Sequence, residues 1–214
     1  MQLVGPNFDP DALARADRAA AQCVAEIAAA IQPGMTQERG TKIARDILKS
    51  AGAKRHWHQP IIRFGAETLK TFREPTDSQT QLADGDLFYI DIGPVFEGHE
   101  ADRGDTFQVG TALEQAHLIE AARATWKTVS DAWRMLRLTG RDLYALVDET
   151  AAQSGYLQHS RVLGHRIGDW PHGKYARGAL ANATVVPEAG LWILEIHLIC
   201  TASGRGAFIE APLA

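Results

Sequence analysis

Asp91 stands in the run Leu87-Phe88-Tyr89-Ile90-Asp91-Ile92, Glu195 in Leu191-Trp192-Ile193-Leu194-Glu195-Ile196, and Glu210 in Ala207-Phe208-Ile209-Glu210. A carboxylate carried into an apolar segment loses its hydration. Each of these acids therefore needs a cation, several hydrogen-bond donors or a proton, and nearby basic residues are too few to pair with all of them. Asp102 follows Asp91 by 11 residues. A hairpin turning near Glu97-Gly98 brings both to the same side of one sheet. Gly164-His165-Arg166-Ile167-Gly168 sets a histidine in a strand-like run between two glycines, and His172 follows seven residues on. The remaining acids of the stretch 84–105, namely Asp84, Asp86, Glu97, Glu100 and Asp105, are mostly explained by a solvated hairpin.

The elements that must position these groups are legible from periodicity. Asp9 to Ile31 carries Leu13, Ala16, Ala20, Val24, Ile27 and Ile31 on one helical stripe, stopped by Pro33-Gly34. Thr36 caps a second helix that ends at Ser50-Ala51-Gly52. Gln59 to Phe64 is a short β-like run, and periodicity then fails from Ala66 to Ala83. Leu87 to Ile92 is a buried strand closed by Gly93-Pro94, and Thr106 to Val109 is its partner. Glu114 to Leu136 and Arg141 to Gln153 read as helices, Leu191 to Ile199 and Ala207 to Leu213 as strands. Gly34, a helix, Gly52, His56 and Gly65 are echoed by Gly140, a helix, Gly155, His159 and Gly168. The echo predicts two related α+β halves packed about a pseudo-twofold axis, with a cleft between them.

The chain has 214 residues, with 22 Lys+Arg against 26 Asp+Glu and a net charge of −4. That balance offers no basic face for a phosphate backbone, so nucleic acid is not an expected partner. No apolar run is long enough to span a bilayer, no leader is read at the start, and a membrane is not expected either. Cys23 and Cys200 are expected as packing residues in a reducing, cytoplasmic compartment. No Gly-x-Ser-x-Gly elbow and no phosphate-cradling glycine loop occur.

Taken together, Gly85-Asp86-Leu87 leading to Asp91-Ile92-Gly93, Gly98 to Asp102 with Thr106-Phe107, Gly164 to Gly168 with His172, then Glu195 and Glu210, resemble the pita-bread metallopeptidases (M24). That superfamily contains methionine aminopeptidase, Xaa-Pro aminopeptidase, prolidase and creatinase. The resemblance covers Ala12 to the C-terminus. It implies an α+β pita-bread fold, two pseudo-symmetric halves around a central curved antiparallel sheet with the helices on its outer face. Residues 1–214 are read as the catalytic domain alone, with 1–8 an N-terminal tail.

Carried over residue by residue, the resemblance implies that Asp91 chelates one metal ion, that His165 and Glu195 hold another, and that Asp102 and Glu210 bridge. Carboxylate and imidazole ligands suit Mn²⁺, Fe²⁺, Co²⁺ or Zn²⁺, Mn²⁺ being the first guess, and two such ions would neutralise four acids in one cleft. Two metals sharing carboxylates can hold a hydroxide between them and polarise a carbonyl, the equipment for amide hydrolysis. His172 would donate to the developing oxyanion, and Glu195 could shuttle the proton. The expected substrate is a small peptide or peptide-like metabolite, Xaa-Pro aminopeptidase- or dipeptidase-like. A specialised amidohydrolase and a non-catalytic binding module are the alternatives, and a homodimer is implied.

Several positions depart from the family pattern. Its loop histidine falls near Phe72 or Arg73, and neither is histidine. Ile196-His197 stands where proline is usual. Phe72, Arg73, His99, Arg166 and Trp170 are named as candidate substrate-binding residues, with Lys174 a further cation. His56-Trp57-His58 reads as packing at a helix-to-strand turn, with pocket lining as its alternative.

Overall fold

The computed structural model describes residues 3–214. Helix α1 (Pro10–Ala30) starts after Asp9, whose carboxylate accepts from the Asp11 amide, and its proline sits where a missing N–H does no harm. Helix α2 (Gln37–Ser50) is capped by the Thr36 hydroxyl on the Arg39 amide. Helix α3 (Leu113–Leu136) leads to α4 (Gly140–Gln153), where Thr139 and Asp142 cap each other's backbone reciprocally. The strands are β1 (Arg55–Phe64), β2 (Leu87–Phe96), β3 (His99–Glu100), β4 (Arg103–Gln108), β5 (Leu157–Gln158), β6 (His165–Arg166), β7 (Trp192–Cys200) and β8 (Arg205–Pro212). β1 and β4 thus begin earlier than periodicity indicates, and β3, β5 and β6 are too short to leave a periodic signal. Among the described residues, no helix is long and apolar enough to cross a membrane.

All strands join one antiparallel sheet in the order β1-β2-β4-β8-β7-β5, with β3 on β2 and β6 on β7. The order has the same form from either edge, with β1 and β5 outermost, then β2 and β7, and β4 beside β8. Two buried cores match this division. Ala16, Ala20, Ile27, Leu48, Phe64, Phe88 and Ile90 form one beneath α1 and α2; Leu118, Val129, Leu143, Val147, Leu194 and Ile196 form the other beneath α3 and α4. This is the expected pita-bread arrangement of two α+β halves.

The echo needs one adjustment. Helices α2 and α4 are both 14 residues long and both open on a threonine cap, Thr36 and Thr139. Gly34 lies outside its helix while Gly140 lies inside, so the threonines mark the repeat better than those glycines. In the second half the counterpart of β1 is broken into β5 and β6, both of which pair with β7.

The halves meet at β4 and β8, which share one registered pair, Gly104 opposite Glu210. Beside it the Thr106 hydroxyl donates to the Phe208 carbonyl and accepts from the Phe208 amide, both at 2.7 Å. The expected N-terminal tail is tied down from Leu3 onward. The Gly5 amide donates to Asp169 Oδ1 at 2.8 Å, and Arg166 donates to the Leu3 carbonyl at 2.6 Å. Met1 and Gln2 lie outside the described residues.

Both cysteines are free. Burial, then the charge of Glu26, pushes the Cys23 thiol up to about 11 from 9.0. Because the thiolate is the reacting form, two units remove roughly a hundredfold of its population at pH 8. We expect native Cys23 to resist an aromatic disulfide reagent that labels it readily in urea, and the protection to fade as pH rises towards 11. Equal labelling rates in the native and urea-unfolded chain would count against this burial.

Candidate metal centre

One row of paired residues crosses the sheet. Asp91 lies opposite Gly104, Gly104 opposite Glu210, and Glu210 opposite Glu195. Directly opposed residues of antiparallel strands project to the same face, so the three acids share the face away from the helices. Gly104 makes their convergence feasible. A Cβ there would lie 2.6 Å from the Phe208 ring, 2.8 Å from the Ile90 carbonyl oxygen and 2.9 Å from Glu210 Oε1. Asp102, in the turn entering β4, and His165, on β6, complete the group.

His165 Nε2 lies 2.7 Å from Asp102 Oδ2 and 3.3 Å from Glu195 Oε1. Its Nδ1 donates to the Arg166 carbonyl at 2.8 Å, which leaves Nε2 facing the acids, its lone pair available to a cation when the ring is neutral. The Gly164 amide holds Glu195 Oε2 at 3.1 Å. His58, on β1, places its Nε2 3.2 Å from Asp91 Oδ1 and 3.2 Å from Asp102 Oδ1. Two overlapping clusters result, Asp102-His165-Glu195-Glu210 and His58-Asp91-Asp102, with Asp102 in both.

The clusters fit cations better than they fit each other. Asp91 Oδ1, Asp102 Oδ2, His165 Nε2 and Glu210 Oε1 are buried without a hydrogen bond of good geometry, although ion-pair neighbours stand close. Such orphaned atoms are costly unless they face a common ligand. As protein groups alone, their titration is strongly disturbed. Burial, joined by the charges of Asp102, Asp91 and Glu195, drives Glu210 well above the carboxylate range. Burial lifts Asp91 to about 6 against the pull of His58. For both histidines burial opposes the charged form, but the adjoining carboxylates outweigh it, taking His58 to about 9 and His165 well above its ordinary value. Asp102, also buried, is held low by the two imidazoles that flank it.

The cleft over this floor has a volume of about 210 Å³, walled by Trp57, Ile61 and Phe72. A larger cavity of about 330 Å³ opens on the helical side beside Val24, Phe107 and Trp126. Of its charged lining residues, Arg103 pairs with Asp17 and Asp105 with Arg123, while Glu210 belongs to the row of acids on the other face of the sheet. The Trp57 ring stands 4.5 Å from His58, 4.8 Å from His165 and 6.4 Å from His172. Glu100 Oε2 bonds His172 Nδ1, and Glu100 Oε1 accepts from the His172 amide at 3.1 Å.

The residue profile of metallopeptidase family M24 matches residues 11–212. The chain belongs to this family. A methionine aminopeptidase of Helicobacter pylori is 24% identical over 197 residues, covering 88% of this chain and 76% of its own. An Xaa-Pro dipeptidase of Pyrococcus horikoshii is 25% identical over 158 residues, 70% of this chain and 44% of the relative. Among solved structures, prolidase from Pyrococcus horikoshii superposes with a TM-score of 0.76 at 19% identity, covering 98% of this chain. This M24 chain spans 59% of that prolidase but 94% of a Thermotoga maritima methionine aminopeptidase, whose TM-score is 0.78 at 18% identity. The fold is therefore the pita-bread fold of M24 enzymes.

Of the candidate substrate residues, Phe72 is 61% exposed at the cleft mouth, with the Arg73 guanidinium 5.1 Å over its ring. The other three are elsewhere. His99 is buried and accepts from the Asp9 amide at 2.9 Å, so it anchors the start of α1. Arg166, next to His165 on a strand, faces the other way, reaching Leu3 and stacking 5.2 Å over Trp192. Trp170 is half-buried outside the cleft lining, its amide donating to the Gly98 carbonyl at 2.8 Å. Trp57 takes the place expected for Trp170. His58 and Trp57 line the cleft, so the pocket-lining alternative for the His56-Trp57-His58 run fits the structure better than the packing reading. Glu100, expected on a solvated hairpin, is buried against His172.

Proposed function

We propose that the chain is a dinuclear metal-dependent hydrolase that cleaves an amide bond in a small peptide or peptide-like metabolite, with an Xaa-Pro aminopeptidase or dipeptidase as the leading form. The observation that carries this reading is the set of buried, hydrogen-bond-orphaned atoms on Asp91, Asp102, His165 and Glu210, which face a shared space. Asp91, Asp102, His165, Glu195 and Glu210 would hold the ions, and Mn²⁺ is the ion we would test first. When bound, two divalent cations supply Lewis acidity and a water activated at neutral pH.

The chain's own residues do the remaining work. His172, fixed by Glu100, would donate to the scissile carbonyl as charge grows on it. Glu195, restrained at one oxygen by the Gly164 amide, is placed to carry a proton to the leaving nitrogen. Trp57, Ile61 and Phe72 give the substrate an apolar wall and exclude water, and Arg73 at the mouth can meet a carboxylate. The cleft is smaller than the roughly 300–1,000 Å³ of drug-sized sites, which favours a substrate of dipeptide scale.

Turnover of Xaa-Pro dipeptides, without turnover of N-terminal-Met peptides, is the expected result of a substrate screen with the Mn²⁺-loaded protein. Turnover of neither would move the reading to a specialised amidohydrolase. Glu100→Gln is expected to lower kcat by roughly a hundredfold through a mispositioned His172 while metal content stays at wild-type level. An unchanged kcat would remove His172 from the chemistry.

A further inference from the structure

We infer that His58 is a ligand of the metal centre, so that each of the two metal positions has its own imidazole. The inference rests on the dinuclear reading above and adds a residue that the five-ligand set lacks. His58 and His165 are built alike. Each Nδ1 faces the carbonyl of the next residue, Gln59 at 2.9 Å and Arg166 at 2.8 Å. A carbonyl only accepts, so each Nδ1 carries a proton, and in the neutral ring that a metal ligand must be each Nε2 turns its lone pair towards the acids. The carboxylate of Asp102 lies between the rings, Oδ1 3.2 Å from His58 Nε2 and Oδ2 2.7 Å from His165 Nε2. The two histidines sit on β1 and β6, strands that take equivalent places in the two halves.

The backbone around His58 is shaped for this position. Pairing of β1 with β2 shifts register on both sides of His58, between His56 and His58 and again between His58 and Ile61. Such irregularities re-aim side chains at functional sites. Opposite His58 stands Gly93, where a Cβ would meet the His58 ring at 2.3 Å and Trp57 Nε1 at 2.5 Å. The imidazole therefore lies over β2 in space that only glycine leaves, with Trp57 against its other side at 4.5 Å. Its Nε2 is equally far, 3.2 Å, from Asp91 Oδ1 and Asp102 Oδ1. The ring meets hydrogen-bond geometry with Asp102 Oδ1, while Asp91 Oδ1, at ion-pair distance, is left without a hydrogen bond and free to share a cation with the ring.

The test is proton NMR of the protein loaded with Co²⁺. Each cobalt-bound imidazole that keeps Nδ1–H gives one strongly shifted resonance that disappears in D₂O. We expect two such resonances in the wild type and one in His58→Gln. The same variant is expected to bind one of its two Co²⁺ ions at least roughly tenfold more weakly, with the other unchanged. One resonance in the wild type, or two retained in His58→Gln, would overturn the role of His58 and leave the dinuclear reading standing. No shifted resonance and no cobalt binding would overturn the dinuclear reading itself. Should His58→Gln fail to fold, Gly93→Ala displaces the ring without removing it and is expected to shift or abolish the same resonance.

Discussion

Asp102→Ala is expected to strip the protein of bound metal and of hydrolytic turnover together. Asp102 is 1% exposed and belongs to both clusters, one oxygen beside His58 and the other beside His165. Its loss removes a shared ligand from each position and leaves two imidazoles without the anion between them. Elemental mass spectrometry on protein purified without a metal-affinity tag is expected to fall from close to two Mn²⁺ per chain to well under one. Turnover is expected to fall by roughly a thousandfold or more, the scale on which a preorganised electrostatic group acts. Stabilisation by added Mn²⁺, about 2.7 kcal/mol at a hundredfold excess over Kd, is expected to vanish with it. A variant that keeps two ions and its activity would refute the shared-ligand role. A protein that holds no metal even as wild type, yet keeps a binding partner, would be the non-catalytic alternative.

A single methyl group at Gly104 is expected to do nearly as much. The new Cβ of Gly104→Ala meets the Ile90 carbonyl oxygen at 2.8 Å, which belongs to the β2 ladder and cannot swing aside, and Glu210 Oε1 at 2.9 Å. Overpacking of this kind costs about 1–3 kcal/mol, and the carboxylate is the softer obstacle, so Glu210 moves. Urea unfolding is expected to show that loss, and metal analysis to show at least one ion fewer. Gly173→Ala, whose Cβ would meet nothing nearer than Arg177 at 3.9 Å, serves as the control with near-wild-type stability and metal content. Equal behaviour of the two variants would show that the row of acids does not depend on the gap at Gly104.

Asp91, Glu195 and Glu210 stand out in the sequence because a carboxylate inside an apolar strand is physically conspicuous, whereas Asp102 is marked only by its spacing from Asp91 and His165 by its flanking glycines. Other site neighbours leave weaker local signals. His58 lies between two register shifts, which spoil the alternation that would have assigned its face. Glu100 sits at a hairpin that sequence places in water, yet it is 1% exposed because the segment from Gly168 to His172 folds over it. That contact joins distant parts of the chain and leaves no local pattern. Arg166 was decipherable in principle, since a strand neighbour of His165 points the opposite way. The helices were legible within a residue or two because their caps and apolar stripes are local. Ile196-His197, where proline is usual, has a packing role: His197 is buried and its Nε2 donates to the Thr68 carbonyl at 2.7 Å.

The seam between β4 and β8 gives the centre a mechanical meaning. Asp91 and Asp102 come from one half, His165, Glu195 and Glu210 from the other, and the backbone ladder joins the two at a single registered pair. A cation held by Asp102, His165, Glu195 and Glu210 is therefore a cross-link between two lobes, gripped from both banks of the joint. Neither lobe severed from its twin retains a complete coordination sphere. In the dinuclear reading, chelation would remove that cross-link as well as empty the site.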